Sequence, residues 1–270
     1  MIHIRPMLIL FVPTIAVSLY KYMDKIMIGA ISSKTQLGFY ENAEKVINIA
    51  ATVITSSGTV MLPKMSNMMA RKDDEGVLKY TGVTMLYVMW LVYALTFGLA
   101  GIAPVFAPVF WGDEFQTSGF LIMGLALTMP FVSFANVIRT QYLIPAEKDR
   151  EYMLSVVSGA VINLIINALL IPAYGSFGAT IGTIVAEVTV CSIQCFVVRK
   201  ELQIWKYFGQ TIFFIGVGTV MFAVIFEIGS IFGRRIVTLL VQIGAGVLIY
   251  CLPSFLYFYI RKEETFFGCV

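Results

Sequence analysis

Lys21, Asp24 and Lys25 fall inside "PTIAVSLYKYMDKIMIGAIS", residues 13–32, whose other side chains are nearly all apolar or small. An ionised side chain near the centre of a bilayer costs about 2.5–3.5 kcal/mol on insertion scales, so a group of them belongs against a protein interior or a wet cavity, where such residues mark substrate or ion pathways. Lys21 and Asp24 are spaced i, i+3 and can pair on one helix face. Lys25 shares that side, as do Thr14 and Ser18 one and two turns earlier. The following segment repeats the pattern, with Glu41, Glu44, Lys45, Asn48, Thr52, Thr55, Ser56 and Thr59 recurring every three or four residues. Two later stripes, Ser155–Ser158–Asn163–Asn167 and Thr180–Thr183–Glu187–Gln194, keep the same helical spacing. Ser, Thr and Asn also glue helices together in membranes, so for Asn163, Asn167 and the hydroxyls that reading stands beside the functional one. A charge is a costlier adhesive, which singles out Lys21, Asp24, Lys25 and Glu187.

Chemistry of other kinds lacks its residues. His3 is the only histidine, and acid–base catalysis usually wants a positioned general base. The cysteines Cys191, Cys195, Cys251 and Cys269 lie in or beside apolar runs; two thiols one helical turn apart, with no histidine near, are too few ligands for a metal site. The sequence is read as a non-enzyme with no bound cofactor or metal.

The elements that must carry these stripes follow from composition. Hydrophobic residues make up 59% of the 270 and charged residues 13%, against about 45–50% and about 25% in soluble domains. Eight apolar runs reach the roughly 20 residues that an α-helix needs to cross about 30 Å of hydrocarbon, near 7–31, 40–63, 80–110, 117–142, 151–172, 176–198, 208–232 and 236–260. None alternates as the strands of a membrane barrel would. The expected fold is an all-α membrane protein of eight transmembrane helices. The first run is too long and too charged for a signal peptide. With eight spans both termini share a face, and that face collects thirteen Lys and Arg against three on the other. This positive-inside bias places both termini in the cytoplasm. The formal net charge of +3 is then explained by topology and anionic headgroups, with no nucleic acid implied. "KMSNMMARKDDEGVLK", residues 64–79, reads as the longest connector, a solvated linker, and Glu227 reads as interfacial. Pro13, Pro63, Pro104, Pro108, Pro130 and Pro172 are expected to kink or end helices, and Gly175, Gly178 and Gly182 to allow close backbone approach.

Several of these segments taken together, "PTIAVSLYKYMDKIMIGAIS", "LGFYENAEKVINIA", "VMLPKMS", "IRTQYLIPAEKDREY" and "SGAVINLIINALLIPAYGSFGATIGTIVAE", resemble the carboxy-terminal half of Wzx-type oligosaccharide flippases, polysaccharide biosynthesis transporters of the multidrug/oligosaccharidyl-lipid/polysaccharide exporter superfamily. The resemblance covers roughly residues 5–207, and residues 208–260 resemble the two extra helices of fourteen-helix members. It implies a six-helix lobe over 1–198, a cytoplasmic linker at 199–207, and two additional helices with a tail over 208–270, without the amino-terminal lobe. Such proteins move lipid-linked sugars between leaflets by alternating access around a polar, often cationic, cavity. Here Lys21, Lys25 and Lys45 are matched in number by Asp24, Glu41 and Glu44. Lys21 and Lys25 are the candidates for the anionic headgroup, and Asp24 for orienting or coupling them through H+ or Na+. Glu44, Lys45, Asn48, Asn163, Asn167 and Glu187 complete the candidate site. The implied activity is transport of undecaprenyl-diphosphate-linked oligosaccharide across the cytoplasmic (inner) membrane, by a fragment of a longer flippase, with membrane lipids and other polysaccharide-assembly proteins as partners. A cation-coupled drug exporter of the same superfamily, using Asp24 or Glu187, and a non-transporting docking subunit are the alternatives.

Overall fold

A computed structural model describes residues 22–260, and the side chains of all of these except 55–60. Among the described residues every regular element is helical. Helix α1, residues 22–31 of the first run, turns through Ser32 and Ser33 into α2 (Lys34–Ala70). Ser33 caps α2 by accepting from the Gln36 amide at 3.2 Å, satisfying one of the donors a helix start leaves open. Lys72 takes a left-handed conformation (φ 59°), and Asp73 caps α3 (Asp74–Trp111) by accepting from the Gly76 amide at 2.9 Å. Asp74 and Glu75 then lie in the first turn, where the helix dipole favours negative charge. The expected linker over 64–79 is therefore corrected to the ends of two helices joined at residues 71–73. At 37 and 38 residues, rising about 1.5 Å each, α2 and α3 outrun about 30 Å of hydrocarbon.

The fourth span, expected as one helix, is broken. A short 3₁₀ turn (Asp113–Phe115) leads into α4 (Gln116–Ala126), which stops two residues before α5 (Met129–Ile138), and a π-turn follows over Arg139–Leu143. Pro130 lacks the N–H that would bond to Ala126 and its ring crowds that carbonyl, while the Thr128 hydroxyl donates to the Leu125 carbonyl at 2.6 Å. Pro63, Pro104, Pro108 and Pro172 instead lie within continuing helices, as membrane packing tolerates. Helices α6 (Asp149–Tyr174) and α7 (Ser176–Val198) form a tight hairpin at Gly175, whose φ of 56° suits glycine. Helix α8 (Ile204–Phe232) begins four residues earlier than read from the sequence, because Tyr207 is buried and its hydroxyl donates to the Leu78 carbonyl at 3.1 Å. Helix α9 (Ile236–Ile260) completes the chain as described.

Six helical stretches, α3 and everything from Asp113 on, are long and apolar enough to cross a membrane, and the protein is a multi-pass membrane protein. The eight-helix count lies beyond these six: the first run is described only from residue 22, and α2 is not one of the six. Pairs α6–α7 and α3–α8 make the most extensive helix contacts, followed equally by α3–α4 and α8–α9. On α3, Gly101 receives Ile225 of α8, and the Trp90 carbonyl accepts from Tyr250 of α9 at 2.6 Å, so the terminal hairpin rests on α3.

Candidate functional site

Asp24 of α1 is 7% exposed and sits where α1, α2, α6 and α7 meet. The Tyr40 hydroxyl of α2 donates to its Oδ2 at 2.8 Å. Asn167 of α6 donates through Nδ2 to its Oδ1 at 2.5 Å. Thr183 Oγ1 of α7 lies 2.7 Å from Oδ2, its one proton shared between that oxygen and the Ala179 carbonyl at 3.0 Å. Asn167 also donates to Asn163 Oδ1 at 3.1 Å. Among the described residues no Lys or Arg lies within ion-pair distance of Asp24, and the partners described for its carboxylate are hydrogen-bond donors. Asn167 Oδ1 and Asn163 Nδ2 are buried and have no hydrogen-bond partner among the described residues. A polar site with spare capacity is costly in a low-dielectric interior and could take an added proton or cation.

Local sequence explains how the cluster closes. Gly182 packs directly against Asn167, and a Cβ there would overlap the Asn167 carboxamide. Above it, Ser176 donates from both its amide and its hydroxyl to Gln36 Oε1, tying the α6–α7 turn to α2. Below it, Gln194 donates to Ser155 Oγ at 3.1 Å. The α6 and α7 stripes are thus divided between helix glue at these flanks and the Asp24 centre between them.

The neighbouring charges point elsewhere. Lys25 Nζ is 2.7 Å from Glu44 Oε2, with both side chains about a quarter exposed (25% and 23%). The same ammonium lies 5.2 Å from the Tyr22 ring centroid, and Lys25 is not a bare cation. Lys45 and Asn48 are exposed and Glu41 is half-buried, while Tyr40, Ala43, Ile47 and Ala50 turn the other side of α2 into the core. Glu187 is half-buried one turn beyond Thr183. Lys21, with Thr14 and Ser18, lies outside the described residues, and so do the side chains of Thr55, Ser56 and Thr59. Glu227 is exposed and accepts from Ser230.

Of the candidates, Asp24, Asn163 and Asn167 are brought together; Lys25, Glu44, Lys45 and Asn48 form a separate, open face. Tyr40 and Thr183 are partners of Asp24 that the candidate set left out. Thr183 carried a signal in its stripe, but Tyr40 reaches Asp24 across two helices, a relation without a spacing in the chain. Among the described residues no group of three His, Cys, Asp or Glu could hold a metal. Cys191 and Cys195 are free thiols with sulfurs 4.0 Å apart on α7.

Residues 7–119 match the family described as polysaccharide biosynthesis protein. A probable low-salt glycan biosynthesis flippase of Haloferax volcanii is 22% identical over 244 residues, 90% of this chain and 52% of that protein. A putative O-antigen transporter of Shigella dysenteriae is 21% identical over 183 residues, 67% of this chain and 44% of its own length. The solved lipid II flippase MurJ, in an inward closed conformation, has 16% identity and a TM-score of 0.79 over 94% of this chain and 53% of the MurJ chain. The likeness to MurJ is one of fold. The relatives named are transporters and flippases, which bears out the resemblance to Wzx-type flippases. The chain spans about half the length of the proteins it matches.

Proposed function

We propose that the chain acts as the carboxy-terminal part of a two-lobed flippase that moves undecaprenyl-diphosphate-linked oligosaccharide across the cytoplasmic membrane for cell-surface polysaccharide synthesis. In this reading residues 1–198 are a six-helix lobe, 199–207 a linker and 208–270 two further helices, with eight spans and both termini cytoplasmic. The similarity to a glycan flippase and an O-antigen transporter supports the substrate class, and the half-length match supports a single lobe.

The observation that carries the mechanism is the buried Asp24, held by Tyr40, Asn167 and Thr183. Protonation, or Na+ bound with the spare Asn167 oxygen, would neutralise Asp24 and change the strength of the ties joining α1 and α2 to α6 and α7. The charge at Asp24 is thereby linked to helix position, the differential interaction that a conformational shift requires. Lys45 and Asn48, on the side of α2 turned away from the core, and the Lys25–Glu44 pair beside them are assigned to the anionic and polar parts of the substrate, together with Lys21. Glu187 is a second coupling carboxylate.

The test is restoration of surface polysaccharide in a flippase-deletion strain by the complete protein carrying Asp24→Asn or Asp24→Glu. Loss with Asn and partial retention with Glu are expected. Full export by Asp24→Asn would remove the coupling role, and drug sensitivity changing in place of polysaccharide export would favour a cation-coupled drug exporter.

A further inference from the structure

A cavity of about 900 Å³ opens as a groove between α7 and α8. Its floor is buried side chains of α3 and α5, including Met89, Thr96 and Phe134. Cys191 and Cys195 line its α7 wall, and Phe196 and Trp205 form an exposed rim, Trp205 being 85% exposed. The groove lies about 100° around α7 from Thr183, since Ile184 and Val188 line it and successive helical residues turn by that angle. It is therefore separate from the Asp24 centre.

Its polarity is one-sided. The walls are apolar, and Arg199 stands at one end with its guanidinium carbon 3.7 Å from the Phe196 ring centroid. Lys200 and Lys206 are exposed beside it. The acidic neighbour Glu201 is engaged by Lys148 at 2.8 Å, and among the described residues Arg199, Lys200 and Lys206 form no ion pair. An apolar slot closed by positive charge fits an amphiphile with a hydrocarbon chain and an anionic head. Length selects among amphiphiles. The lining runs on α7 from Ile184 to Arg199, about 22 Å at about 1.5 Å per residue, which is one leaflet of about 15 Å of hydrocarbon plus its interface. The volume also falls in the range of about 300–1,000 Å³ usual for single ligands.

We propose that this groove binds one anionic glycerophospholipid of the surrounding bilayer, its acyl chain along α3 and its phosphate at Arg199. The site is a lateral lipid site, apart from the Asp24 centre, and its test needs no glycan substrate. The full chain, with Trp90→Phe and Trp111→Phe so that Trp205 is the only tryptophan, is reconstituted in phosphatidylcholine vesicles containing a low fraction of phosphatidylglycerol. Fluorescence quenching is compared when either lipid carries bromine on its acyl chains. Brominated phosphatidylglycerol is expected to quench preferentially and saturably. Arg199→Gln should weaken that preference about fivefold while Arg199→Lys keeps most of it, as expected for one basic residue near the surface. Ser192→Phe, which fills the groove and leaves Arg199 in place, should abolish the saturable component. Equal quenching by both brominated lipids, or a preference indifferent to Arg199→Gln, would overturn the proposal. No quenching by either would mean that a polypeptide, a second copy of the chain or another protein, covers the groove, and would overturn it equally.

Discussion

Asp24 and Lys25 are adjacent in sequence and opposite in circumstance. Asp24 is buried among three hydrogen-bonding side chains from three other helices, whereas Lys25 meets Glu44 in an ion pair that remains about a quarter exposed. On a helix, neighbours in sequence are about 100° apart, so a stripe drawn through both residues must divide when a second layer packs against it. The comparison separates two kinds of polar group within a membrane. One is held, among the described residues, by neutral donors and cannot lose them without consequence. The other keeps access to water or substrate and can exchange partners.

The largest effect expected from breaking this contrast is at Asp24. Asp24→Ala removes the acceptor of one Asn167 amide proton, whose other bond to Asn163 remains, and leaves the Tyr40 hydroxyl only Thr183 Oγ1 at 3.2 Å; a buried donor left unsatisfied costs about 1–3 kcal/mol. Thermal unfolding of the detergent-solubilised protein should show a marked loss, and Asp24→Asn a smaller one. Equal stability for Asp24→Ala and wild type would mean that the cluster does not bind the helices together. Gly182→Ala comes next: its Cβ occupies the space of the Asn167 carboxamide, and overpacking of this kind costs about 1–3 kcal/mol. Pairing it with Asn167→Ala should recover part of that loss, since the smaller side chain vacates the overlap.

On the exposed side the changes should be slight. A double-mutant cycle on Lys25→Ala and Glu44→Ala should return a coupling of about 0–1 kcal/mol, small enough to separate any export defect of these variants from folding. A coupling as large as the Asp24 effect would erase the contrast. The smallest effect belongs to Lys148–Glu201 outside the spans. The hydrogen bond from Lys148 holds the Glu201 carboxyl below its ordinary 4.5. A lowered acid contributes stability above its unfolded value and loses it as pH falls through the folded one. The difference between wild type and Glu201→Gln should therefore be present at neutral pH and fade below about pH 4.5, which melting curves across that range would show.

Much of the architecture was legible because lipid imposes a strict rule. Every backbone polar group in hydrocarbon must be satisfied by the protein, and only a helix does so within its own segment, so long apolar runs without alternation became helices with little reference to their neighbours. Spans from Asp149 on begin and end within a few residues of their expected limits, α8 excepted. The α2–α3 ends differ from the expected linker because their charges do not mark solvated coil: Asp73 caps α3, and Asp74 and Glu75 favour its first turn. Pro130 announced a disturbance, but whether it would kink or break its helix depended on Thr128 and the surrounding helices.

For the site, residue types and helical spacing determined that polar stripes run along α1, α2, α6 and α7, because a 3.6-residue period is written directly in the chain. Which members of those stripes meet was decided only by tertiary structure. The contact of Asp24 with Asn167 and Thr183 joins positions 143 and 159 residues apart, and Gly182 matters because the Asn167 amide must lie against it. The sequence sets each helix's periodic faces through bonds made within that helix. The rotation of one helix against another is set by the packing of both, and that rotation turned Asp24 inward and left Lys25 at the open edge.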